Sequence, residues 1–181
     1  MDIRVVRTQK MISEALLELL AKMPIEKITP TELCRKATIN RNTFYSHYKN
    51  TNEVLEEIEN DLLASVDESI NESQTPVEAI TSLCEMMRSN KRLCTVLFSK
   101  NMNGRITQRV FAIADKFNMT KMQKETNNLT ENYRQMLSSY TIRGSAAVLE
   151  CWVRGGMTEE PRDIAEFIHK VSKHGTSFVT Q

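Results

Sequence analysis

Apolar residues in this chain return every three or four positions and almost never every second one. Ile12, Ala15, Leu16, Leu19, Leu20 and Met23 keep that rhythm and so share one stripe of a helix. A sequence patterned this way buries its apolar side chains by packing helix on helix, not by pairing strands. Only five Gly and four Pro interrupt 181 residues, so breaks are few and the helices between them are long.

The spacing predicts a helix over 8–23, closed by Pro24. Thr29, Pro30 and Glu32 then form a start signal: a cap, a proline at the first helical position and the acid of a capping box. This opens a short helix of about eight residues with Leu33 and Ala37 facing inward. A second short helix begins at Asn40 and runs to about His47. Asn50 and Glu53 resemble another capping box. They open a long helix carrying Val54, Ile58, Leu62 and Val66 on one stripe. Further helices are expected at 76–89, 91–99, 104–118, 129–154 and 161–173, while 119–128 shows no clear pattern. Gly155 and Gly156 make a helix stop and Pro161 a restart. The predicted fold class is all-α with about nine helices, divided into a head over 1–50 and a helical body over 51–181.

The overall charge of +1 hides an asymmetry. Residues 1–50 carry nine Lys/Arg against five Asp/Glu, and the remainder fifteen against eighteen. A basic head on a mildly acidic body points to a polyanion met by the head alone. Cys34, Cys84, Cys94 and Cys151 are scattered without a metal-type spacing, so they read as reduced, packed thiols, with no metal and no cofactor expected. No apolar run is long enough for a membrane span, and the first residues lack a signal-peptide core, so the expected location is cytoplasmic. An enzyme would need a nucleophile with its base, paired carboxylates or a metal set. His47, His169 and His174 stand far apart in sequence with no such companions, so a non-enzyme is expected.

Two short helices joined by a tight turn, the second crowded with donors, describe a helix-turn-helix. The second helix enters the major groove, its first residues meet base edges, and flanking groups hold phosphates. Arg41 and Asn42 suit guanine and adenine, each by two hydrogen bonds. Tyr45 and Lys49 suit phosphate oxygens. Thr29 and Thr31 stand at a helix N-terminus, where a phosphate is favoured. Phe44 is expected in the core. For Tyr48, core and groove are both open.

The stretch I-T-P-T-E-L-C-R-K-A-T-I-N-R-N-T-F-Y-S-H-Y-K-N resembles the DNA-binding segment of TetR-family transcriptional regulators. The late stretch Y-T-I-R-G-S-A-A-V-L-E-C-W-V-R-G-G-M-T-E-E-P-R-D-I-A-E-F-I resembles the closing helix pair of a Gram-positive subgroup. The resemblance implies a double-stranded, palindromic DNA operator bound by a homodimer. It implies DNA contacts at Arg41, Asn42, Thr43, Tyr45, His47 and Tyr48, beside the further candidates Thr29, Thr31, Asn40 and Lys49. Two positions depart from the family pattern. Thr38 stands where the turn glycine is usual, so either a β-branched residue carries a positive φ or the turn is built differently. Thr51 stands where a lysine commonly opens the fourth helix, and Lys49 is the substitute offered for its phosphate contact.

In the body, Tyr133, Met136, Leu137, Tyr140, Gly144, Ala147, Val148 and Cys151 share one helix face. The small residues around Gly144 fit close packing inside the chain and a subunit contact equally well. The resemblance favours the subunit contact, through Tyr140, Gly144, Ala147, Val148, Cys151, Trp152, Ile164 and Ile168. Met86, Met87, Phe98, Met102, Phe111 and Phe117 are either ordinary core or, as the resemblance implies, the lining of a site for an apolar small-molecule effector. The expected function is a ligand-responsive homodimeric repressor. The alternative is an activator or co-activator of the same fold that works through a partner protein.

Overall fold

The computed structural model describes residues 3–71, 73, 75–98, 108–110, 112–113 and 129–176. Among them the secondary structure is helical and no strand occurs. None of the described helices is long and apolar enough to cross a membrane. The chain divides into two compact units, one of residues 1–62 with 95–104 and the other of 63–94 with 105–181.

The first unit opens with α1 (Ile3–Leu20), which buries Ile12, Ala15, Leu16, Leu19 and Leu20, the stripe read from the spacing. It starts five residues before the predicted 8, and its first turns leave Ile3 and Val6 exposed. A solvated turn carries no apolar period, so spacing could not register it. A single 3-10 turn (Ile25–Lys27) follows, then α2 (Pro30–Ala37) and α3 (Arg41–Tyr45). α2 packs on α1 and α3 on α2. α2 contributes Leu33, Cys34 and Ala37 to the core, and α3 contributes Phe44. Lys36 and Glu18 form an ion pair at the surface between α1 and α2.

Thr29 caps α2 by accepting from the Glu32 N–H at 3.2 Å. The reciprocal bond expected from Glu32 is formed instead between Thr75 and Glu78, at the start of α5. The turn after α2 resolves the Thr38 question. Thr38 lies at φ 57°, ψ 41°, in the left-handed region. Its N–H donates to the Arg35 carbonyl, and that of Ile39 to the Cys34 carbonyl. This pair of bonds is a Schellman closure, so the geometry that glycine normally supplies is held here by a β-branched residue.

α4 (Thr51–Asn71) starts in the first unit and ends in the second. Asn50 accepts from the Glu53 N–H at 3.0 Å, and Glu53 in turn accepts from the Lys49 N–H. The second unit continues with α5 (Pro76–Ser89), most of α6 (Lys91–Leu97), α7 (Glu131–Arg154) and α8 (Pro161–Thr176). Residues 108–110 and 112–113 are helical as well, inside the predicted 104–118. α5 and α8 pack along each other, with Ala79, Cys84 and Met87 buried on one and Ala165 and Ile168 on the other. Burial pushes the Cys84 and Cys94 thiols up to about 12, while Cys151 is exposed.

The predicted stop after α7 is built on Gly156, at φ 90°. The Met157 N–H reaches the Trp152 carbonyl and the Gly156 N–H that of Val153, a second Schellman closure. This corner is tied down from several sides. Trp152 Nε1 donates to the Glu159 carbonyl at 3.2 Å, and Lys91 Nζ to the Gly156 carbonyl at 2.7 Å. Arg88 holds Glu160 through two bonds of 2.8 and 3.2 Å, which keeps the Glu160 carboxyl below its ordinary range.

A left-handed β-branched residue costs about 1–2 kcal/mol, and glycine returns part of that gain through its larger unfolded-state entropy. Thr38→Gly is therefore expected to stabilise the protein by about 0.5–1 kcal/mol in denaturant unfolding. A loss of stability would mean that Thr38 makes compensating contacts outside the turn.

Candidate nucleic-acid interface

α3 has only five residues, so it cannot persist on its own and takes its position from what it buries. Phe44 is fully buried, with its ring edge-on to Tyr45 at 5.4 Å and tilted against Tyr48 at 5.9 Å. Tyr48 is also in the core, at 3 % exposure, which decides the open question: its ring is not a groove residue. Its hydroxyl donates to Glu57 on α4 at 3.0 Å, and Gln9 of α1 donates to the same carboxylate at 3.4 Å. Burial and the neighbouring Glu57 push the Tyr48 phenol well above the ordinary tyrosine range.

With Phe44 and Tyr48 inward, the helical turn sends their neighbours outward. Arg41, Asn42, Tyr45 and Lys49 are exposed, and Thr29 and Thr31 are exposed at the start of α2. Asn40 is exposed too, but its side chain is committed. Its Oδ1 accepts from the Thr43 N–H at 2.8 Å and from the Thr43 hydroxyl at 3.1 Å. Asn40 and Thr43 thus form the cap of α3. His47 is half-buried, 6.3 Å from the Tyr48 ring. The helix closes two residues before the predicted end, where the His47 N–H tightens back onto the Phe44 carbonyl. Thr51 is buried, and its hydroxyl donates to the Ile28 carbonyl at 3.3 Å, so the position serves the fold of the head. Gln9 and Glu57 had no signal in the sequence, since 48 residues separate them.

The expected subunit face divides. Tyr133, Met136, Tyr140, Gly144, Ala147 and Cys151 form an exposed stripe along α7, with Val148 half-buried. A Cβ added to Gly144 would meet nothing within 4 Å, so close packing inside the chain does not explain that glycine among the described residues. On α8, Phe167 and Val171 are exposed and Ile164 half-buried. A Cβ on Gly175 would lie 3.6 Å from the Tyr140 hydroxyl oxygen, so the exposed side of α7 adjoins α8. Trp152 and Ile168 are corrected. At 3 % and 2 % exposure they are spent inside the subunit, Trp152 on the corner after α7 and Ile168 on the buried side of α8 with Ala165.

Met87 is buried, and Met86 and Phe98 are half-buried; Met102, Phe111 and Phe117 lie outside the described residues. Met86 borders an open groove of 520 Å³ lined otherwise by Ser65, Glu68, Ser69, Ser73, Glu78 and Ser82. That groove is lined by hydroxyls and carboxylates around Met86.

A helix-turn-helix followed in sequence by an all-helical unit defines a class, the helical transcriptional regulators. Residues 74–174, more than half the chain, match the TetR-type family model described as "Transcriptional regulator C-terminal region". The chain belongs to the TetR family of transcriptional regulators. It is 45% identical over 56 residues to the "Uncharacterized HTH-type transcriptional regulator YxbF" of Bacillus subtilis (strain 168), a match covering 30% of this chain and only 15% of that protein. Solved structures share the fold along nearly the whole length. A TetR transcriptional regulator from Streptococcus agalactiae 2603V superimposes with TM-score 0.71 at 19% identity, covering 93% of this chain and 95% of that one. The regulator FadR from Bacillus subtilis in complex with stearoyl-CoA gives TM-score 0.64 at 15% identity, covering 90% and 96%.

The Tyr48 hydroxyl is a core hydrogen bond to a carboxylate, so Tyr48→Phe is expected to lower stability by about 1–2 kcal/mol and leave DNA affinity per folded molecule unchanged. Unfolding curves and duplex titrations separate the two. Unchanged stability with weakened binding would put that hydroxyl at the DNA instead.

Proposed function

We propose that the protein is a sequence-specific, homodimeric DNA-binding repressor whose affinity is set by a small-molecule effector in the helical body. The observation that carries this reading is the row of exposed donors on and beside α3, with Arg41, Asn42, Tyr45 and Lys49 facing out while Phe44 and Tyr48 fix the helix from within. Arg41 and Asn42 are the base-reading candidates, and Tyr45, Lys49, Thr29 and Thr31 hold phosphates. Asn40, Thr43, His47 and Tyr48 hold the recognition segment in shape.

The exposed stripe of α7 with Phe167 and Val171 of α8 supports a two-fold pairing with a second copy. Such a pairing sets two recognition helices on successive major grooves, about 34 Å apart. A bound dimer covers the operator and denies it to the transcription machinery. An effector relieves this only by binding the released state more tightly than the bound one. A fold relative, the regulator FadR from Bacillus subtilis, forms a complex with stearoyl-CoA, which supports a small-molecule effector for this chain too.

The test is selection of genomic fragments by the purified protein at two salt concentrations. A palindrome with half-sites one helical turn apart, and affinity falling steeply with salt, is expected. Recovery of no common sequence at either salt would overturn sequence-specific binding. The pairing has its own test in Gly144→Glu. A Cβ at this position meets nothing within 4 Å among the described residues, and the change replaces an exposed mid-helix glycine, so the monomer should keep its fold, with helix propensity improved by roughly 0.5–1 kcal/mol. Across a two-fold contact the same change buries like charges. Sedimentation should show a folded monomer with operator affinity sharply reduced. An intact dimer would move the interface elsewhere.

A further inference from the structure

Arg41 does not extend freely from α3. Its Nη2 donates to the Tyr45 hydroxyl at 3.4 Å, and its guanidinium carbon sits 5.7 Å from the centre of the Tyr45 ring. The two residues are one turn apart on the outward face, with Tyr45 47 % exposed. Tyr45 in turn is fixed from below, since its ring meets the fully buried Phe44 ring edge-on at 5.4 Å. A chain of contacts therefore runs from the core through Phe44 and Tyr45 to the Arg41 guanidinium. A free arginine side chain carries large rotamer entropy, which a base contact must otherwise overcome on binding. A ring and a hydroxyl that already restrict the guanidinium reduce that cost before DNA arrives.

We propose that Tyr45 is a positioning residue for Arg41: it sets operator specificity by holding the guanidinium toward the groove, and does not act only as an independent phosphate contact. This rests on the reading of α3 as the base-reading helix. The two roles make different demands. A phosphate contact is blind to sequence, so its loss weakens all duplexes by one factor. A positioning residue is felt at the base pair that Arg41 reads, and is silent once Arg41 is gone.

The experiment titrates the full-length wild-type protein, Arg41→Ala, Tyr45→Phe, Tyr45→Ala and the double Arg41→Ala/Tyr45→Ala variant. The probes are the duplex enriched from a random-sequence pool and its single-base-pair variants. Arg41→Ala should erase discrimination at one base pair. Tyr45→Ala should lower discrimination at that same pair by about 2- to 5-fold, the size of an exposed cation–π contact. Tyr45→Phe keeps the ring and its packing on Phe44, and should lose less. The double variant should discriminate no worse than Arg41→Ala alone. In the DNA-free protein, the Arg41 side-chain proton signals should carry a ring-current shift that survives Tyr45→Phe and vanishes in Tyr45→Ala. Uniform weakening by Tyr45→Ala, additive with Arg41→Ala, would overturn the proposal while leaving DNA recognition by α3 intact. So would absence of the ring-current shift in the wild type. Failure of the wild type to enrich any duplex would instead remove the DNA reading, and the positioning role with it.

Discussion

The burial of Phe44 is the contact on which the recognition segment depends. A five-residue helix has no stability of its own, because nucleation costs more than one or two hydrogen bonds return. Phe44 and Tyr48, four positions apart and both in the core, turn α3 into an extension of the head's interior. The helical period then leaves no choice about the rest. Asn42 and Tyr45 lie away from that buried side, and Arg41, at the first turn of the helix, is exposed with them. The candidate interface is thus the complement of a packing pattern, and its exposed donors sit on a segment fixed by buried aromatic rings.

The same logic explains what the sequence made legible. Helix starts were readable where a cap is local: Thr29 before Pro30 and Asn40 before Arg41 both occupy the cap position. Core stripes were readable where one face is buried, as on α1. The turn at Thr38 was readable as a conflict and no further, because a positive φ at a β-branched residue depends on whether the closure bonds form around it. Tyr48 stood undecided for a related reason. An amphipathic ring suits a core and a groove alike, and its partners Glu57 and Gln9 lie on other helices, so only the assembled head settles its place.

The closing helices show the limit of periodicity from the other side. α7 carries apolar residues on two faces. Ile142, Trp152 and Val153 turn inward, whereas Tyr133, Met136 and Tyr140 turn out. α8 divides in the same way, with Ala165 and Ile168 inside and Phe167 and Val171 outside. A three-to-four rhythm detects that a position is apolar but not which neighbour it will meet. That is why Trp152 and Ile168 were grouped with a subunit face when they belong to the subunit's own interior. An exposed row of large side chains on paired helices is costly to leave in water, which is the physical argument for a second copy there.

Within the proposed function, the same contacts bear on how a body could act on a head. The first turns of α4 are fastened to the head at two points, the Thr51 hydroxyl on the Ile28 carbonyl and Glu57 on the Tyr48 hydroxyl. Val54 and Leu55, between those points, are buried as well. α4 continues without a break to Asn71, inside the second unit. Under the proposed reading, displacement of its far end would reach the head where the near end is tied. Tyr48 lies three residues beyond α3 and packs on Phe44, the ring that fixes α3. Any movement of α4 that carries Glu57 therefore acts on the seat of the recognition helix before it acts on Arg41 or Asn42. The burial of Tyr48 in the core therefore leaves it a part in the proposed function. It places the residue at the joint through which an effector's differential affinity for two states would reach the DNA.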